Sequence, residues 1–237
     1  MKILVGIPTL NENLNINKIY MKLRNIDKKF HILFIDDNST DGTIDKIEKI
    51  IANDKKVKII IRKKTIGIGS AHKDIISFAF KKQYDLLITL DADGSHDPKY
   101  IPKMFKKLEN SNIVITNRFF FRDSLATWPF IRKFITHFRH YLINFLLSID
   151  LDTSGAFRVY NLKKIKLADI MRARHNGYSF FWESIYILKN LNYKIYQIPI
   201  KMKKRTYGSS KISFKEILSA IIYLFYFFWK RITSSKF

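Results

Sequence analysis

The feature that most constrains the fold of this chain is the rhythm of its first half. Short apolar runs recur, and each is followed by a polar or glycine-containing turn and then by a segment of helical periodicity. KILVGIPTL (2–10), HILFIDD (31–37), VKIIIRK (57–63), YDLLITLDADG (84–94) and NIVITNR (112–118) read as strands. Residues 13–28, 43–53, 70–82 and 97–110 read as helices. Apolar strands alternating with helices of this length make βαβ units. The expected fold class is therefore α/β: a mostly parallel sheet flanked by helices, with right-handed connections. Ligands of such sheets bind beyond the carboxyl ends of the strands, near the point where the strand order reverses. Asn11-Glu12, Asp36-Asp37 and Asp91-Asp93 each stand at the end of a strand, so they are expected to converge in one crevice.

Those carboxylates are conspicuous because the chain is basic, with 43 Lys and Arg against 20 Asp and Glu and a net charge of +23. In an extended segment alternate side chains point the same way, so Asp91 and Asp93 can face one site. Two hard oxygen ligands suit Mg²⁺ or Mn²⁺, with substrate phosphates completing the shell. Asp97, directly before Pro98, reads as a helix N-cap. Asp37 is placed to accept hydrogen bonds from a ribose or base, whereas Asn38 to Thr43 is turn chemistry. Gly67-Ile68-Gly69 has neither a third glycine nor a following Gly-Lys-Ser/Thr, so it reads as a tight turn before a helix. The absence of cysteine excludes disulfides and thiolate metal sites and permits a reducing compartment. The N-terminus has no small-residue cleavage pattern and reads as a strand, not a signal peptide.

The second half changes character. Residues 119–149 are rich in aromatics and bases, and Phe130, Phe134, Phe138, Tyr141 and Phe145 recur at helical spacing, with Arg132, Lys133, His137, Arg139 and His140 mostly on another side. That is an amphipathic helix of the kind that lies in a membrane interface, the alternative being a core helix. Residues 178–192 read as a further helix and 193–201 as a strand. The apolar stretch Ile217 to Trp229 would run for about 20 Å as a helix, short of the ~30 Å hydrocarbon core. It reads as an interfacial or docking helix, or else as one packed on the sheet. The basic excess calls for an anionic partner or reflects a Lys-rich composition. No recognisable RNA- or DNA-binding module accompanies it.

PTLNE (8–12), DDNSTDGT (36–43) and DADGSHDP (91–98) together resemble the inverting family 2 glycosyltransferases of GT-A fold. SGAFRVY (154–160), GYSFFWE (177–183) and RTYGSSK (205–211) resemble the polyprenol-phosphate sugar synthases, among them the dolichyl-phosphate mannose synthases. The resemblance implies a catalytic domain over 1–213, with 119–149 as interfacial helices inside it. Residues 214–237 would form a C-terminal helix at the membrane interface or docked on a partner. It implies transfer of a mannose- or glucose-type sugar, with inversion, from GDP-mannose or UDP-glucose to a polyprenol or dolichol phosphate. Pro8, Leu10, Glu12, Ile35, Asp37, Asp91, Ala92 and Asp93 would line the donor. Asp91 and Asp93 would hold Mg²⁺ or Mn²⁺, with Ser95 standing where relatives commonly carry Gln. Arg118, Ser154 and Arg158 would meet the acceptor phosphate, and Arg205 and Lys211 would close over the diphosphate. Asp93, Arg118 and Arg158 would be the catalytic set.

The chemistry is consistent with that assignment. A lipid monophosphate has a second pKa of about 6, so it is largely ionised at neutral pH and needs no general base. His72, His96 and His175 accordingly read as bystanders. The implied location is peripheral, at the cytoplasmic face of a membrane, with room for a small membrane partner subunit and no role for nucleic acid. The competing readings are a family 2 transferase acting on a glycan, another lipid or a protein, and a basic nucleic-acid-binding protein.

Overall fold

A computed structural model describes residues 1–64, 66–203, 205, 207–208 and 214–233. Its strands are β1 (Ile3–Thr9), β2 (His31–Asp36), β3 (Val57–Ile61), β4 (Leu86–Thr89), β5 (Ile113–Asn117), β6 (Arg158–Asn161) and β7 (Ile195–Pro199). Its helices are α1 (Asn13–Ile26), α2 (Thr43–Asn53), α3 (Ile68–Lys81), α4 (Ile101–Leu108), α5 (Phe130–Leu147), α6 (Leu167–Ile170), α7 (Ser179–Asn190) and α8 (Phe214–Thr233). The seven strands form one sheet in the order β3-β2-β1-β4-β6-β5-β7. All pairings are parallel except those of β6, which is antiparallel to both β4 and β5. The α/β reading therefore holds, and the order reverses between β1 and β4, where a crevice is expected.

β1 and β5 are buried at every position because helices cover both faces of the sheet. One apolar layer, containing Ile16, Ile47 and Met104, lies under α1, α2 and α4. The other, containing Ile75, Ile143, Phe180 and Phe227, joins α3, α5, α7 and α8. Gly6 lets α3 approach β1 closely: a Cβ there would fall 2.2 Å from Cγ2 of Ile75.

Three local readings differ. The fourth strand ends at Thr89, and residues 90–97 turn, with Gly94 at φ 80°. Asp91 and Asp93 thus converge through a turn and not along an extended segment. Asp97 does cap, accepting from the Lys99 N–H at 3.2 Å, but the turn it starts is 3₁₀ (Pro98–Tyr100) before α4 begins. β6 lies inside a segment that carried a motif but no strand signal.

α8 is packed on one side and bare on the other. Leu224 and Phe227 are buried. Phe227 meets the ring of Trp182 edge-on, the Tyr223 hydroxyl donates to buried Glu183 at 2.8 Å, and Arg231 donates to the Leu146 carbonyl at 2.9 Å. Its other side exposes Ile222, Phe225, Tyr226 and Trp229. Among the described residues no helix is long and apolar enough to cross a membrane.

Candidate active site

A cavity of about 730 Å³ opens at the carboxyl ends of β1 and β4 and extends between α5 and α8. Its floor comes from two strand ends. Pro8 lies near the end of β1 and Leu10 and Glu12 follow it, and Asp91, Ala92, Asp93 and Ser95 follow β4. Asp36, fully buried, accepts from the Thr9 hydroxyl and from the N–H and hydroxyl of Ser39, each at 2.7 Å. It holds the turn after β2, while Asp37 reaches the cavity wall.

Asp37 is paired with Arg62, which leaves β3 and also donates to Ser70 at 2.8 Å. Burial raises the Asp37 carboxyl, and the Arg62 hydrogen bond and charge only partly offset it. Arg62 thus fastens the end of β2 to the start of α3. The Gly67-Ile68-Gly69 turn serves close packing: a Cβ on Gly69 would lie 2.6 Å from the Gly177 carbonyl oxygen.

The acidic pair is asymmetric. Asp93 Oδ1 accepts from the N–H (2.9 Å) and hydroxyl (2.6 Å) of Ser95, and its Oδ2 lies 2.9 Å from Nε of Arg205. Burial raises Asp93, but Ser95 and the Arg205 charge outweigh it and hold the carboxylate below its ordinary value. Asp91 moves the opposite way, raised by burial despite the nearby His96. The Asp91 N–H donates to Nδ1 of His96 at 3.1 Å, so His96 braces the turn from behind. No cluster of three metal-binding side chains occurs among the described residues. The two carboxylates fit a hard divalent cation that takes its other ligands from phosphate and water. Ser95, at the position where relatives commonly carry Gln, gives its hydroxyl proton to Asp93 and orients it, and its oxygen lone pairs stay available to a cation.

The opposite wall is cationic. Arg118, at the end of β5, is held by Asp152 through its backbone N–H (3.0 Å) and its guanidinium (2.8 and 3.2 Å). Arg118 also donates to Ser154 at 3.0 Å, and Arg139 donates to the same oxygen at 3.3 Å. Burial pushes Asp152 up, but the charge and hydrogen bonds of Arg118 hold it below its usual range. Burial and the Arg118 charge push Arg139 down to about 10, and its Nε has no hydrogen-bond partner among the described residues. Arg132 stands over the Trp128 ring at 3.8 Å. Three guanidinium groups thus face one space, with Asp152 the carboxylate hydrogen-bonded to Arg118, an arrangement that favours an anion.

Two expected residues lie elsewhere. Ile35 is fully buried in the sheet's apolar layer with Leu4, Leu33 and Leu87 and does not line the cavity; β2 ends at Asp36, so Asp37 reaches the wall from beyond the strand. Arg158 is 1% exposed and uses all its N–H donors internally. Nε bonds Gly155 O, one terminal nitrogen bonds Tyr160 and Ser184, and the other bonds the carbonyls of Thr153 and Phe181. It shapes the loop that carries Ser154 and does not line the cavity. Lys211 lies outside the described residues. Tyr178, which lines the cavity, stood inside GYSFFWE without an assigned role, and Asp152 and Arg62 carried no sequence signal. Arg132 and Arg139 did: with Thr136 and Ile143 they recur at helical spacing on one face, and that face turns toward the site.

Comparison with known proteins follows this geometry. A family model described as Glycosyl transferase family 2 matches residues 4–167. An undecaprenyl-phosphate mannosyltransferase of Micrococcus luteus is 28% identical over 214 residues, covering 90% of this chain and 88% of its own. A polyprenol monophosphomannose synthase of Mycolicibacterium smegmatis is 26% identical, covering 92% and 83%. Among solved structures, glucosyl-3-phosphoglycerate synthase of Mycobacterium tuberculosis, bound to phosphoglyceric acid, superposes with a TM-score of 0.65 at 16% identity, covering 97% of this chain and 79% of that one. The same enzyme with Mn²⁺, UDP and phosphoglyceric acid gives 0.63, also at 16% identity, covering 94% and 78%. The architecture is the GT-A arrangement expected from the motifs.

Proposed function

The chain belongs to glycosyl transferase family 2, and from that premise we propose that it transfers a mannose-type sugar from a nucleotide diphosphate donor to a polyprenyl phosphate. The observation that carries this reading is the cavity itself. One end has two carboxylates, the middle has three arginines, and the far end is apolar, lined by Ile135, Leu142 and Leu224. A nucleotide diphosphate, a second phosphate and a hydrocarbon tail would match those zones in order. The names of the two bacterial relatives point the same way.

In this reading Pro8, Leu10, Glu12 and Asp37 receive the nucleoside, and Asp91 and Asp93 hold Mg²⁺ or Mn²⁺. The cation would supply electrostatic stabilisation of the diphosphate leaving group. Arg205, already within reach of Asp93, would assist it. Arg118, Arg139 and Arg132 would bind the acceptor phosphate and aim one oxygen at the sugar carbon. That oxygen is ionised at neutral pH, so no protein base has to remove a proton. A single in-line displacement inverts the anomeric centre. Arg158 supports the Ser154 loop and does not touch phosphate.

The exposed apolar face of α5 and α8 suits a peripheral position on a lipid surface, with the active site opening toward it. The cytoplasmic face is the side on which a nucleotide sugar would be available, and α8 leaves room for a small membrane partner.

The test is transfer of labelled sugar from GDP-mannose, with UDP-glucose as the alternative donor, to polyprenyl phosphate in detergent with Mn²⁺ or Mg²⁺. Product should extract into organic solvent. Asp93→Asn should lower turnover at least about a thousandfold, the scale of losing a main electrostatic element of a site, and should abolish metal-dependent donor binding. No extractable product with any donor would overturn the acceptor assignment. Wild-type turnover by Asp93→Asn would overturn the metal role.

A further inference from the structure

The proposed reaction leaves one motif of the sequence without a role, GYSFFWE (177–183). Glu183, on α7 and 1% exposed, accepts the backbone N–H groups of Arg174 (2.8 Å) and His175 (3.0 Å) together with the Tyr223 hydroxyl (2.8 Å). The Gly177 N–H donates to Nδ1 of His175 at 2.9 Å, and the Asn176 carbonyl accepts from the Ser70 N–H at 2.9 Å. Residues 174–177 are thus tied to α7 and α3, and through Glu183 to α8. They lead directly into Tyr178, which lines the cavity together with Phe181, Trp182 and Glu216. The Tyr178 hydroxyl has no hydrogen-bond partner among the described residues. Burial first, then the charges of Asp91 and Glu216, push the phenol up to about 12, and Arg205 and Arg139 only partly oppose them. It therefore keeps its proton at neutral pH and is able both to donate and to accept.

We propose that Tyr178 contacts the transferred sugar, its hydroxyl bonding to a ring hydroxyl, and that this contact helps select the donor. The inference rests on the function proposed above, because a displacement between a diphosphate and an acceptor phosphate places the sugar between their two sites. Position selects the partner. Asp91 and Arg205 belong to the proposed diphosphate end and Arg139 to the proposed acceptor end, and the charges of all three reach the phenol. Arg132, also at the acceptor end, feels the phenol in turn. A group within reach of both phosphate sites faces the sugar that passes between them. Chemistry points the same way. The phosphates are matched by arginines and by a cation, whereas a neutral sugar hydroxyl is matched by a neutral phenol. A site that offers such a group discriminates against a donor lacking its partner, since the polar group is then left unpaired. The ties on residues 174–177 hold Tyr178 in place before the donor arrives, so little ordering has to accompany binding.

The test compares Tyr178→Phe with the wild type on GDP-mannose and its monodeoxy analogues, or on UDP-glucose and its analogues if that is the donor turned over. The hydroxyl has no protein partner to lose, so the urea midpoint should not fall. Donor kcat/KM should drop about tenfold, the scale of one hydrogen bond. The thermal shift produced by the matching nucleoside diphosphate with Mn²⁺, and the KM for polyprenyl phosphate, should keep their wild-type values. With the analogue that lacks the contacted hydroxyl, the wild type should itself lose about tenfold, and Tyr178→Phe should lose nothing further. Wild-type kcat/KM in the variant, or an equal loss on every analogue, would overturn the contact. A smaller shift with the nucleoside diphosphate or a raised KM for polyprenyl phosphate would also overturn it, by assigning the hydroxyl to a phosphate. A lowered midpoint would make the hydroxyl a structural group and overturn it too. Each of these outcomes leaves the proposed reaction standing. Absence of transfer by the wild type from either donor would overturn the reaction and the contact together.

Discussion

Arg118 and Arg158 share one expected role in the sequence, Arg118 at the end of the strand read over 112–118 and Arg158 inside SGAFRVY (154–160). The structure separates them by what their guanidinium donors already do. Arg118 shares its donors between Asp152 and the cavity-facing Ser154, while Arg158 spends all of its own on protein oxygens. The difference was illegible because β6 was not read as a strand. Only its pairing with Thr89 and Ile115 puts Arg158 in the middle of the sheet. Arg158→Ala should therefore act on stability first. Removing its bonds to three carbonyls and two hydroxyls in the core should cost about 3 kcal/mol or more, read by urea denaturation, with acceptor KM little changed in the protein that remains folded. His72 supplies a pH prediction at the same scale. It is buried, with Nε2 lacking a hydrogen-bond partner among the described residues, and burial together with the Arg158 charge pushes it down from 6.5 to about 3. The folded state keeps it neutral, while the unfolded state takes up a proton as pH falls through 6.5. Stability is thus lost on acidification between those two values, at up to about 1.4 kcal/mol per pH unit from this group. His72→Phe should flatten the fall in melting temperature between pH 6.5 and 4.5. An unchanged slope would assign the acid sensitivity to other groups.

At the level of elements, strand and helix order through β5 was legible because period-2 and period-3.6 patterns alternate cleanly there. The carboxylate-bearing ends of β1, β2 and β4 were legible for the same reason: a polar cluster directly after a buried run has few other places to go. The faces of α5 were harder to read. Its bases form no single polar side. Lys133 and His140 lie on one flank, while Arg132 and Arg139 turn inward to the site. A wide apolar arc conceals that split, since it leaves too little polar surface to distinguish a solvent face from a site face. Docking of α8 was equally hidden. Its partners, Trp182, Glu183 and Tyr186, belong to α7, far away in sequence, and its helical wheel is apolar nearly all round.

For the whole molecule, the proposed membrane position would draw on the charge of +23 and the bare aromatic face together. Electrostatic attraction brings a basic protein to an anionic bilayer, and insertion of aromatic side chains retains it there. Binding to phosphatidylglycerol-containing vesicles, measured by co-sedimentation, should be strong at low salt and weaken as salt screens the charge. Phe134→Glu with Phe145→Glu should remove most of the salt-resistant fraction. Both side chains are exposed and lie outside the cavity lining. Equal binding by that variant would mean that charge alone holds the protein to the surface.

The contact between Arg205 and Asp93 has a thermodynamic corollary. A guanidinium resting on a carboxylate is an internal competitor for any cation that needs the same oxygen. If the carboxylate is free only a fraction of the time, apparent affinity for that cation is reduced by the same fraction, so a site covered nine-tenths of the time binds about tenfold more weakly. A diphosphate offers Arg205 another anion, and drawing it away exposes Asp93. In the proposed site, metal and nucleotide would then assist each other even before they touch, by displacing a common rival. Mn²⁺ titrations of the nucleotide-free protein should accordingly show tighter binding in Arg205→Ala than in the wild type, with less further gain when nucleotide is added. Equal affinities in the two proteins would show that the arginine exerts no such competition.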